Sequence, residues 1–241
     1  MKRYAVCILV LIVSLLSVSC NREQQRILDR LMETETGEYS GEEIDRERVE
    51  ELEKHIRRYA DEVEQMVKDT GKLGIYYKML ALDYLDQEMY GPAEEYFLRA
   101  LEVYPNNHIL HYYTGLAQAQ LSGAQSGAAE RTAKLEEAAF HQERAIELKP
   151  DYYDALYALS VLYIFELDKP LSAEEYVLRA LDVRSNSINP LFLLARIRVI
   201  QGRFEEAVEI YDRIIDESEN SEIIERARSN RDRLLGGGFN E

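Results

Sequence analysis

The sequence predicts an all-α chain built from a repeated helix hairpin, and three observations carry that prediction. Two segments nearly coincide when the chain is slid over itself by 80 residues, EEYFLRALEVYP at 94–105 and EEYVLRALDVRS at 174–185, so repetition must be settled before domains are assigned. Apolar residues recur at helical spacing: Tyr77, Leu80, Ala81 and Tyr84 share one face, and Ala93, Phe97 and Ala100 share another. Twelve glycines and five prolines in 241 residues are too few for a loop-rich β-sandwich or a disordered chain.

Composition narrows the function classes. Hydrophobic residues make up 46% and charged residues 31%, ordinary proportions for a soluble globular chain. With 45 acidic against 29 basic side chains the net charge is −16. That argues against sequence-independent nucleic-acid binding, since phosphate backbones are held by clustered Lys and Arg. Two cysteines, Cys7 and Cys20, leave no disulfide framework.

Residues 1–19 read as an address. Lys2 and Arg3 supply a positive start, and residues 5–18 are an unbroken run of apolar residues and Ser. Fourteen helical residues span about 21 Å, short of the ~30 Å hydrocarbon core, so the run is a signal h-region before it is a transmembrane anchor. It ends at Leu16-Ser17-Val18-Ser19-Cys20, followed by polar Asn21-Arg22-Glu23. This resembles a bacterial lipoprotein signal with the relaxed box of spirochaete lipoproteins, in which residues 1–19 are cleaved and Cys20 is acylated. Ser17 stands where leucine is favoured. An ordinary secretory signal that happens to contain Cys20 is the alternative. The resemblance implies a protein anchored on a bacterial envelope membrane through Cys20, because two or three acyl chains hold stably where one does not. Residues 20–41 follow as the lipidated N-terminus and a tether, with two glycines and no aliphatic residue between 33 and 41.

Residues 42–72 are expected to form a long amphipathic helix. No Gly or Pro interrupts from Glu42 to Thr70, and Val49, Leu52, Ile56, Tyr59, Val63 and Met66 recur at intervals of 3, 4, 3, 4, 3. That is a coiled-coil seam rather than a broad core face. Such a helix either packs along the domain that follows or self-associates through residues 49–66.

Taking Pro105 as the end of a unit divides residues 73–221 into four: 74–107, 108–152, 153–187 and 188–221. In the first, Gly91-Pro92 sits between the two helical faces, with Pro where a first helical turn tolerates it. This resembles the tetratricopeptide repeat, whose eight defining positions are all acceptably filled in the first unit. The resemblance covers residues 74–221 and implies a right-handed superhelix of about four helix hairpins. The third unit follows with Leu156, Leu159, Ser160, Tyr163, Ala173, Val177 and Ala180, and the fourth with Leu191, Leu194, Ala195, Ala207, Tyr211 and Ile214. Unit two departs: His111, Thr114, Gln118 and Gln142 occupy places the family gives to large apolar residues. Its eleven extra residues read as a longer loop and an extended second helix. Arg198 and Glu219 break the pattern in unit four. Small residues let paired helices approach closely, and a lone pair cannot cover its own apolar face, so units stack around a shared core. Ser172 with Glu175 reads as a capping box, and Asn189-Pro190 as a cap followed by proline. Residues 222–241 read as a polar capping helix, rich in arginine, and a disordered tail.

In this family the first helices of successive units line a concave surface. Carried over unit by unit, the positions facing it are Ile75, Lys78, Leu82, Leu85 and Asp86; then Ile109, Tyr112, Leu116, Ala119 and Gln120; then Asp154, Tyr157, Val161, Ile164 and Phe165; then Asn189, Phe192, Arg196, Val199 and Ile200. Most are apolar or aromatic, which implies docking of another envelope protein or of a hydrophobic or helical peptide segment. The long helix or the polar cap covering that surface is the competing expectation. The family's carboxylate-clamp type is set aside, because its asparagine places hold Met79, Leu82, Tyr113 and Leu116, and only Lys78 falls in a basic place. A second functional class is a ligand-binding accessory of a solute uptake (TRAP-type) system.

Chemistry is not expected. His108 and His111 are three apart on a helix, as two metal ligands are, but nothing fixes a third ligand and no metal or cofactor is implied. Paired acids such as Glu94-Glu95, Glu136-Glu137 and Glu205-Glu206 diverge by about 100° on a helix and are expected on solvated faces. A phosphate loop, a nucleophile elbow and a zinc-protease signature are all missing from the sequence.

Overall fold

The computed structural model describes residues 46–236. The expected signal segment with Cys20, the expected tether to residue 41, residues 42–45 and the tail from 237 lie outside the described residues. The chain divides into two compact units, residues 1–60 and 61–241. In the first, residues 46–60 are helical and make local contacts: Arg57 pairs with Glu53, and the His55 and Tyr59 rings stack. Val49, Leu52, Ile56 and Tyr59 are exposed along this stretch.

The described residues form nine helices and no strand: α1 Arg46–Asp86, α2 Tyr90–Val103, α3 His108–Ser122, α4 Ala128–Leu148, α5 Tyr153–Val161, α6 Pro170–Val183, α7 Ile188–Ile200, α8 Phe204–Glu217 and α9 Ser221–Leu235. Within the second unit consecutive helices pack as antiparallel neighbours, α3 on α4, α5 on α6 and α7 on α8. The final helix α9 packs on α8. The small residues hold the close approaches: Ala81, Ala93, Ala100, Ala173 and Ala180 are each fully buried. Larger side chains fill the spaces beside them, such as Phe97 next to Ala93 and Ala100, and Val177 next to Ala173. Three of the hairpin turns are made by one residue in the left-handed region, Glu88, Asp168 and Gly202 (φ +58°, +50° and +73°); only the last is the residue type that adopts it freely.

Several local expectations are corrected. The amphipathic helix does not stop at residue 72 but continues to Asp86 as the first helix of the first hairpin. Gly71 and Gly74 do not break it, because they make room for a neighbour. A Cβ on Gly74 would lie 2.8 Å from both Tyr104 and Val103, and the Tyr104 hydroxyl donates to the Gly71 carbonyl at 2.8 Å. Helix starts also fall earlier than the expected caps, after Met89, Lys169 and Ser187. Ser172 and Asn189 therefore lie inside first turns and Glu175 in a second, and none of them caps, since prolines in a first turn cost no intrahelical bond. Side-chain caps are made instead by Asn107, which accepts from the amides of Ile109 and Leu110, and by Asn220, which accepts from Glu222 and Ile223.

The polar departures of the second unit are buried and bonded to one another's elements. His111 Nε2 lies 3.0 Å from the Pro105 carbonyl, and His111 and His141 meet Nδ1 to Nδ1 at 2.9 Å. Thr114 donates back to Leu110, Gln142 donates to the Tyr112 carbonyl, and Gln118 donates to Glu94. Glu94, expected in solvent, also pairs with Lys134, which bridges to Glu137. Arg198 is buried too and is neutralised by Glu174 on α6 and Glu206 on α8.

Candidate functional site

The residues expected on the concave surface come from α1, α3, α5 and α7, the first helices of the hairpins. The structure brings some of them together around two cavities. The first, about 450 Å³, lies between α3 and α5 and is lined by Tyr112, Leu116, Tyr157 and Val161, with Gly115 and Gln142 at its floor. Gly115 is there for close approach: a Cβ would sit 2.7 Å from the Gln142 amide and 2.8 Å from the Ala138 carbonyl. Arg131 and Glu166 form an ion pair at its rim. Burial, with Asp154 alongside, pushes the Tyr112 hydroxyl above its ordinary titration range, so it stays a neutral donor.

The second cavity, about 610 Å³, is bounded by α5, α7 and α9. It holds Phe165 and Phe192 from the expected set, and Tyr157 again, which is therefore a wall common to both cavities. Arg196, Val199 and Ile200 also line it, and α9 contributes Arg226, Asn230, Arg233 and Leu234. Guanidinium groups lie over the rings: Arg196 is 4.9 Å from the Phe165 centroid and Arg226 is 4.1 Å from that of Phe192.

One expected residue is placed elsewhere. Ile164, expected to face the concave surface, is instead buried in the core beside Val177, Leu193, Leu194 and Ile197. The reason is a π-helical turn, Leu162–Glu166, that continues α5 and is closed by the Leu167 amide on the Leu162 carbonyl. The helix starts of α5 and α7 are 35 residues apart, and a wide turn absorbs the residue in excess of 34. That turn changes the facing of what lies within it, sending Ile164 inward and leaving Phe165 half exposed. At the other end, Leu82 and Leu85 are partly buried against the first hairpin's core, Ile75 is exposed, and Lys78 is intermediate. Ile109 lies with Tyr104 and Pro105 around a separate shallow cavity.

The sequence alone puts Arg226 and Arg233 on a polar cap and does not connect them with Arg196. Their spacing of seven, with Asn230 between, put them on one face of the helix; only the packing of α9 against the last hairpin shows which face. His108 and His111 do not act together, since His108 stands edge-on to Tyr152 while His111 pairs with His141. Among the described residues no group of three or more His, Cys, Asp or Glu is placed to hold a metal. What the two cavities offer is apolar and aromatic wall with hydrogen-bond donors and cations at the edges.

The architecture and this surface define a class of helical-repeat binding scaffolds. The tetratricopeptide repeat matches residues 78–143 and 163–222, just over half of the chain, and the protein belongs to that family. A "TPR repeat-containing protein" of Borreliella burgdorferi is 27% identical over 233 residues, 92% of this chain and 97% of that protein. Among solved structures, a thermophilic TPR protein of Thermus thermophilus superposes with a TM-score of 0.54 at 19% identity, covering 71% of this chain and 86% of that one. YrrB, a TPR protein with an unusual peptide-binding site, gives 0.52 at 18% over the same shares.

Proposed function

We propose that this protein is an envelope lipoprotein, anchored through acylated Cys20, that serves as a protein–protein interaction scaffold and docks a partner segment on its concave face. The observation that carries the reading is the pair of open cavities sharing Tyr157, each large enough for one or more side chains and walled mainly by apolar and aromatic groups. The peptide-binding site of YrrB supports it by analogy of fold. The anchor is supported by the run of residues 5–18 and its junction with Cys20.

Two measurements test the parts separately. Purification from detergent-solubilised envelopes recovers a stoichiometric protein partner, and Tyr157→Glu, which places a charge between both cavities, abolishes that recovery without lowering the melting temperature. Recovery unchanged by Tyr157→Glu contradicts the docking site. Labelling cells with a palmitate analogue marks the wild-type protein and not Cys20→Ala, which leaves the membrane fraction; equal labelling of both contradicts the anchor.

A further inference from the structure

In a chain of net charge −16, most described arginines lie against carboxylates: Arg99 on Glu95, Arg131 on Glu166, Arg198 on Glu174, Arg213 on Glu217, Arg231 on Asp212. Three that converge on the 610 Å³ cavity do not. Arg196, Arg226 and Arg233 have no carboxylate at ion-pair distance among the described residues, and no acidic side chain lines the cavity with them. Arg196 and Arg226 rest on aromatic rings, and Arg233 donates to the Ser229 carbonyl and the Asn230 side chain.

Stacking engages the flat face of a guanidinium and leaves its in-plane N–H fork for a carboxylate. Three cations with no carboxylate beside them among the described residues are mutually repulsive in one concavity, and an anion placed among them removes that repulsion. The same groups reach into the walls. Burial raises the Tyr157 and Tyr211 phenols, while Arg226 beside the first, and Arg233 and Arg196 beside the second, pull the other way.

We propose that this cavity receives an acidic side chain of a partner protein, held by Arg196, Arg226 and Arg233, with a large apolar residue next to it packed on Phe165, Phe192 and Ile200. The proposal rests on the reading of the concave face as a docking surface, and specifies its chemistry at one end. A peptide fits better than a lone anion, because an inorganic ion would satisfy the arginines and leave the apolar wall wet. A long polyanion is disfavoured by the acidic remainder of the molecule. The site is also distinct from a carboxylate clamp on the first repeats, whose asparagine places hold Met79, Leu82, Tyr113 and Leu116. It is built from the last repeat, the π-helical turn and the terminal helix.

The test uses full-length protein in detergent, panned against a random dodecapeptide library displayed on phage, beside the R196Q/R226Q/R233Q variant. Matching circular dichroism melts confirm that the variant folds, as expected for exposed side chains. Wild type enriches peptides with Asp or Glu adjacent to Phe, Leu or Ile, and the variant loses the acidic preference while still enriching apolar residues. A selected peptide binds the variant about tenfold or more weakly by fluorescence anisotropy, and raising NaCl weakens wild-type binding. Peptides enriched equally by both proteins without an acidic preference overturn the inference and leave the docking surface standing. Peptides enriched by neither overturn both. Acidic peptides enriched only when residues 237–241 are removed assign the cavity to the chain's own tail instead. Arginine-dependent binding of phosphatidylglycerol vesicles in place of peptides assigns it to a lipid surface.

Discussion

The first and second hairpins use the same backbone arrangement and fill it by opposite means. Between the end of α1 and α2 the contact is dry: Ala81, Ala93, Phe97 and Ala100 are wholly buried, beside the stacked rings of Tyr84 and Tyr96 and the Tyr77 ring tilted against Tyr96. Between α3 and α4 the corresponding space holds His111, Thr114, Gln118, His141 and Gln142, all buried. Dry packing depends only on shape. The polar version depends on each group finding a partner, and it does so incompletely: the side-chain oxygens of Gln118 and Gln142 are buried without one. The repeat therefore specifies a distance between helices more strictly than it specifies the polarity of what lies between them.

That contrast can be broken at its strongest point by Phe97→Ala. Removing a fully buried ring stacked on Tyr113 should cost about 3–5 kcal/mol. Thr114→Val in the polar hairpin, which loses only a back-bond to Leu110, should cost under about 1 kcal/mol. Urea titrations of the two variants decide it, and equal losses would show that the dry contact is not the anchor. Next in size is overpacking. Ala100→Leu and Ala180→Leu each introduce three carbons where helices touch and should cost roughly 1–3 kcal/mol; a melting temperature unmoved in either would refute the close-approach role of these alanines.

A smaller effect, that of pH, is the most selective. Burial, and then His111, depress the His141 imidazole to about 4, against the lesser upward pull of Glu137 and Glu94. Burial lowers His111 as well, with the Pro105 carbonyl and Glu147 opposing and Arg144 reinforcing. The native state thus refuses protons that the unfolded chain accepts below about pH 6.5, so stability falls as pH drops from there toward 4 and levels off beneath. The loss should be on the order of 1–2 kcal/mol, allowing for partial solvation. His141→Gln should flatten the slope in that window, while Phe97→Ala shifts the curve without altering its shape. Parallel slopes for His141→Gln and wild type would exclude the pair as its source.

How much of this was readable from the residues follows from the same physics. Alanines at 81, 93, 100, 173 and 180 were legible because close approach tolerates few residue types, and all five are buried. The His111–His141 contact was not, since it joins residues 30 apart whose meeting depends on how far α4 extends. The glycines at 71 and 74 looked like a helix end because their use, admitting Tyr104 and Val103, belongs to another helix. Arg196 falls at a position expected to face the concave surface, but its grouping with Arg226 and Arg233 depends on the packing of α9, which carries no periodic signal linking it to α7.

The wide turn at Leu162–Glu166 has a consequence for how such a chain can change. A surplus residue taken up within a single turn leaves the next hairpin seated on its predecessor, as Ile164 against Leu193 and Ile197 shows. Length can then be edited one residue at a time in the lining of the hollow without shearing the scaffold behind it.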